Sequence, residues 1–212
     1  MAENSFGNAF SLFSAEEQPP AVLLAFLPED CEPTADGVFS SVERQFEQEL
    51  SGYEVQETSV PGATWEVEIR VKSGAVYIIW MGSFDNTQFE NVDHRFVTLG
   101  EDKKLKKSSR VLGLATLMRD DYLGRLKDCY RLLSVAAPEA VAFADLGTSI
   151  IRGARWARDM AFSCALPSIS LLCNIHRVKD GEGKIWLHTH GLRRCAIPEI
   201  EIFEANDESV EE

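Results

Sequence analysis

Thr64-Trp65-Glu66-Val67-Glu68-Ile69-Arg70-Val71-Lys72, then Ser73-Gly74, then Ala75-Val76-Tyr77-Ile78-Ile79-Trp80-Met81, is the stretch from which the fold class follows. Trp65, Val67, Ile69 and Val71 alternate with Glu66, Glu68, Arg70 and Lys72. A period of two puts each set on its own face, so the run predicts a strand with one wet face. Ser73-Gly74 is a tight hairpin turn into a second strand, Ala75 to Met81. Upstream, Tyr53 to Val60 and the apolar run Ala21 to Leu27 also read as strands, with a turn-rich stretch from Pro28 to Gly37. Between them Ser40 to Leu50 has helical spacing, with Val42, Phe46 and Leu50 at four-residue steps. Residues 21–100 therefore read as one helix on an antiparallel sheet.

Downstream, Val111 to Met118 and Tyr122 to Val135 read as helices. In the second, Leu123, Leu126, Tyr130 and Leu133 form a core-facing stripe. Ala140 to Ala144 reads as a buried strand and Ile150 to Phe162 as a helix. Ser168 to Val178, Lys184 to His190 and Pro198 to Phe203 read as closing strands, with Asp180-Gly181-Glu182-Gly183 turning the first into the second. The expected class is α+β: two small α/β-sandwich-like halves, with helices packed on one side of antiparallel or mixed sheets. Residues 1–20 are expected to be a mobile tail, 21–100 an acidic domain, 101–205 a basic domain and 206–212 an acidic tail.

The chain has 212 residues, ample for a core, with a formal net charge of −13. That charge is unevenly spread. Residues 21–100 hold four bases against fourteen acids, and residues 101–200 hold seventeen against eleven. Such a split fits two modules that attract each other, or charges solvated on separate faces. Overall acidity argues against a dedicated nucleic-acid binder. No apolar run reaches membrane-spanning length. The first twenty residues have neither Lys nor Arg and no long apolar block, unlike a secretory signal. Five cysteines, none spaced C-x-x-C, fit reduced thiols in a cytoplasm better than a disulfide framework.

The chemistry-bearing run is Trp186-Leu187-His188-Thr189-His190-Gly191, followed by Pro198-Glu199-Ile200-Glu201. Alternation puts Trp186, His188 and His190 on one face, and Glu199 and Glu201 on one face. If the apolar sets face the core, these share the other side, and one plausible hairpin register adds Asn174 and His176. Three readings follow. His188, His190 and Glu199 make a three-ligand set with open positions, as for zinc or iron, with Glu201 as the other candidate carboxylate. A histidine beside a glutamate is a general base. Imidazole–carboxylate pairs on an exposed sheet are also simply structural, or a binding surface formed by Trp186, His188, His190, Arg193, Arg194, Glu199 and Glu201.

Other motifs are weaker. Gly147, Thr148 and Ser149, in a strand–loop–helix entry with Arg152 one turn on, outline a possible anion site. A capped helix with a basic stripe explains them as well. Lys103-Lys104-Leu105-Lys106-Lys107 fits a phosphate contact or a solvated helix start. Arg193 and Arg194 beside Cys195 are of the sign that lowers a thiol pKa. Neither G-x-S-x-G nor a P-loop is present.

Ile185 to Cys195, then Pro198-Glu199-Ile200-Glu201, resembles the C-terminal signature of an uncharacterised bacterial domain-of-unknown-function family, W-L-H-T-H-G-L-x-R-C-G-x-x-E-L-E. The regions Asp145 to Trp156 and Ser168 to Val178 are similar as well, and the resemblance as a whole extends over roughly the last 90 residues. Ala196 stands where the pattern has Gly. The resemblance implies a cytosolic bacterial protein of two α+β parts and no particular reaction. With no catalytic motif complete, the leading expectation is a non-enzymatic binding or regulatory protein with a protein partner and no required cofactor. A metal-dependent hydrolase at the His188/His190 face is the alternative. A toxin-neutralising immunity-type protein, suggested by the acidic N-terminal half, comes third.

Overall fold

Every residue of Ala21–Leu27 (β1) is apolar, so a strand built from it needs cover on both faces. The remaining strands of its sheet are Leu50–Gln56 (β2), Ala63–Val71 (β3), Val76–Ser83 (β4), Asp93–Arg95 (β5), Arg110–Thr116 (β6), Ala142–Asp145 (β7) and Ile150–Gly153 (β8). In the computed structural model, which describes residues 18–84, 89, 92–179 and 184–205, they form one eight-stranded sheet. Its order is β2-β3-β4-β6-β1-β7-β8-β5. All pairings are antiparallel except β5 with β8.

The helices are Ala35–Phe46 (α1), Leu99–Leu105 (α2), Tyr122–Ala136 (α3) and Ala154–Phe162 (α4). α1 starts at Thr34, whose hydroxyl accepts from the Gly37 N–H, and buries Val38, Val42 and Phe46. α1, α3 and α4 pack on one sheet face, against Leu23, Ile69, Ile79, Leu112, Leu114 and Phe143. The other face buries Leu24, Phe26, Ile78, Trp80, Ala144 and Ile151 beneath Val60 and Leu105. Glu66 and Glu68, expected in water, lie under this second layer. The Glu66 carboxylate accepts from the Ser59 N–H at 2.8 Å and from the Ser59 hydroxyl at 3.0 Å, while Glu68 takes Arg70 at 2.5 Å.

The α+β class therefore holds, but the expected division near residue 100 does not separate two sheets. β1, from the acidic stretch, pairs with β6 and β7 from the basic one. The reason is the uniform apolarity of β1, which suits a central position. Two expected helices are also corrected. Val111 to Met118 is largely β6, an apolar run buried on both faces that helical spacing mimics. Ile150 to Phe162 is split into β8 and α4.

A second sheet stands at the C-terminal end. Asn174–Lys179 (β9), Ile185–His190 (β10) and Glu201–Ala205 (β11) are antiparallel in the order β11-β10-β9. The first part of the expected strand Ser168 to Val178 is instead a 3-10 turn, Ile169–Leu171. The expected turn at 180–183, residues 1–17 and residues 206–212 lie outside the described residues. The Arg194–Asp145 ion pair, 2.6 Å long and buried on both sides, fastens this sheet to the end of β7. Among the described residues, no helix is long and apolar enough to cross a membrane.

Candidate metal centre

β9 and β10 pair so that His188 lies opposite His176, and His190 opposite Asn174. The next strand puts Glu201 opposite His188. Alternation along each strand then gathers three imidazoles on one face. Ring centroids are 4.5 Å apart for His176–His190, 4.7 Å for His188–His190 and 5.4 Å for His176–His188. One ring nitrogen from each lies within 4.8 Å of the other two, and all three side chains are half-buried. An ion bonded to three imidazoles at ~2.0–2.1 Å needs nitrogens ~3–3.5 Å apart, so the rings must draw closer to share one. His188 Nδ1 is sheltered from solvent and has no hydrogen-bond partner among the described residues.

Trp186 continues the same face. Its ring lies 4.3 Å from His188 and stacks nearly parallel, at 5.8 Å, on exposed Phe203. Burial first, then the neighbouring imidazoles, hold the His190 pKa below the ordinary 6.5, with Glu199 opposing. His176 is lowered by burial and by His188, against Asp93. Both lowerings favour neutral rings, the form that ligates.

The carboxylate expected as third ligand is elsewhere. Glu199 Oε2 accepts from the Thr189 hydroxyl at 2.7 Å, and Oε1 from the N–H groups of Gly191 at 2.8 Å and Arg193 at 3.2 Å. It caps the turn after β10, and His176 takes its place in the triad. That turn requires glycine at 191, where φ is +112° and a Cβ would lie 2.5 Å from the Leu172 carbonyl oxygen. Ala196, where the resemblance has Gly, sits at φ 56°, so the same left-handed turn is made by a residue that strains to take it.

Arg194 is not part of the surface. It is 2% exposed, bonded to Asp145, and donates to the Leu171 and Leu172 carbonyls at 3.1 Å each. Arg193 and Glu201 are exposed. Burial pushes the Cys195 thiol up, outweighing Arg194, which corrects the expected activation. The supposed anion site does not form as expected. Gly147, Thr148 and Ser149 lie in the β7–β8 hairpin connection rather than at a helix entry. Arg152 is buried and donates to the Tyr130 hydroxyl at 3.1 Å. The helix that follows, α4, has its Arg155 N–H on Glu101 at 3.2 Å. The lysine run ends α2, where Lys106 pairs with Asp102 at 2.7 Å.

One group that sequence reasoning missed stands behind the triad. Arg95 Nη2 donates to Asn174 Oδ1 at 2.8 Å, and Asn174 Nδ2 lies 2.9 Å from His176 Nε2. Arg95 is 79 positions away in sequence, and no local pattern announces it.

Residues 175–212 match a family model described as "Protein of unknown function (DUF4026) C-terminal". The match begins one residue into β9 and contains all three histidines. No curated protein and no solved structure matches the chain.

Proposed function

We propose that this chain is a binding protein whose C-terminal sheet takes up one divalent transition-metal ion on His176, His188 and His190. The observation that carries the reading is the convergence of three ring nitrogens within 4.8 Å. Imidazole-only donors suit zinc, copper, nickel or iron and not magnesium or calcium, which want oxygen. His188 Nδ1, without a partner among the described residues, supports it, because a sheltered polar atom left so is costly unless a ligand completes it. Three protein ligands leave positions open for water or for a side chain from a protein partner. Exposed Phe203, stacked on Trp186 along the face that carries the triad, gives such a partner an apolar contact.

The test is elemental analysis of untagged protein purified without chelator, then titrated with zinc. About one equivalent of metal is expected in the wild type. Each of His176→Ala, His188→Ala and His190→Ala should cut occupancy sharply, while Glu199→Gln should leave it. No zinc bound by the wild type would end the reading.

A further inference from the structure

Asn174 is 6% exposed, and its amide touches three groups. The Arg95 guanidinium sits 2.8 Å from Oδ1, and the Thr148 carbonyl 3.3 Å from Nδ2. A guanidinium only donates and a carbonyl only accepts, so the amide orientation is fixed from both sides. Nδ2 must then donate to His176 Nε2, 2.9 Å away. A ring nitrogen that accepts carries no hydrogen, which places the proton of neutral His176 on Nδ1. Neither nitrogen is then ready for a metal. The Nε2 lone pair is engaged by Asn174, and Nδ1 is protonated.

Resting on the metal reading above, we infer that Asn174, held by Arg95 and Thr148, is a latch on the third ligand. Metal reaches His176 only when the amide releases Nε2 or turns over. Turning over presents Oδ1 to an Nε2–H, which frees Nδ1 for the metal, but it also sets the amide NH2 against the Arg95 guanidinium. Arg95 must then move away, and Asp93, already 2.8 Å from its Nε, keeps it on β5. Metal uptake on β9 is thus coupled to the Arg95 contact from β5, the edge strand of the large sheet. Asn174 is a positioning residue, acting through the state of His176 and not by touching the ion.

Two measurements on the full chain test this. Long-range nitrogen–proton NMR of the metal-free protein should show His176 protonated on Nδ1. Zinc affinity, read by competition with a chromophoric chelator, should tighten in Asn174→Asp by roughly the 10–100-fold that losing a carboxylate partner behind a ligating imidazole costs. The new carboxylate accepts from Arg95 and from Nε2–H together. Arg95→Ala, which leaves the buried amide in place, should tighten zinc more modestly, and it carries the test if Asn174→Asp does not fold. Zinc bound with no gain in either variant, or an Nε2–H tautomer in the wild type, overturns the latch while leaving the metal site standing. No zinc bound by wild type and variants alike overturns both.

Discussion

Arg194 shows why residue identity alone misassigns roles. Its sequence neighbours Arg193 and Cys195 suggested a basic surface, but its partner, Asp145, is 49 positions away and no local pattern points to it. Removing one member of a buried pair leaves the other charge uncompensated. Arg194→Met is therefore expected to cost about 3–5 kcal/mol, read from the urea midpoint at unchanged slope. His188 and His190 were legible because strand alternation is local, and Glu199 was misplaced because its partners are set by a turn. At Ala196 a left-handed backbone is held by a residue with a Cβ. Ala196→Gly is expected to raise stability by about 0.5–1 kcal/mol in the same assay. Acid acts on the triad with a definite sign. His176 and His190 are both held below 6.5, so the folded chain binds fewer protons there than the unfolded one. Their contribution to stability is complete above that value and is lost as pH falls through their folded-state pKa values. A pH series of thermal melts should show the loss, and His176→Gln/His190→Gln should flatten it.

Among elements, β6 is the most instructive. Arg110–Thr116 carries an apolar run that fits a helix as well as a strand when only spacing is considered. The discriminating residue is Gly113, paired with Trp80 on β4. A Cβ at 113 would lie 2.2 Å from the Trp80 indole, so that ring occupies the space above the glycine. Gly113→Ala is expected to displace the ring and cost about 1–3 kcal/mol, with a change in tryptophan fluorescence as the second readout. β3 was read correctly as a strand and incorrectly as half-wet. The cover over Glu66 comes from the Ser59–Val60 loop, whose approach no alternation pattern encodes. Glu66 Oε2 accepts from the Ser59 N–H at 2.8 Å and from the Val60 N–H at 3.4 Å, so Glu66→Ala should leave both short of an acceptor, costing about 1–3 kcal/mol and speeding hydrogen exchange at those two amides.

At the scale of the molecule, the acid–base contrast between the two halves of the sequence was legible, and the inference of two separate sheets was not. Charge reports on surfaces, whereas strand order is decided by which strands need burial on both sides. β1 needs it most and sits between β6 and β7, with the small histidine sheet attached beyond the end of β7. Amide exchange is accordingly expected to be slowest in β1 and β6 and fastest in β2, β5 and β11, which lie at sheet edges. The central place of β1 has a consequence for synthesis. Leu27 finds its strand partner at Arg110, and Phe26 finds its two at Val111 and Ala142. During translation this greasy segment leaves the ribosome well before either neighbour exists, and it waits without a mate while more than eighty further residues are made. Refolding from denaturant is accordingly expected to be slow and sensitive to protein concentration, read from stopped-flow kinetics at two concentrations.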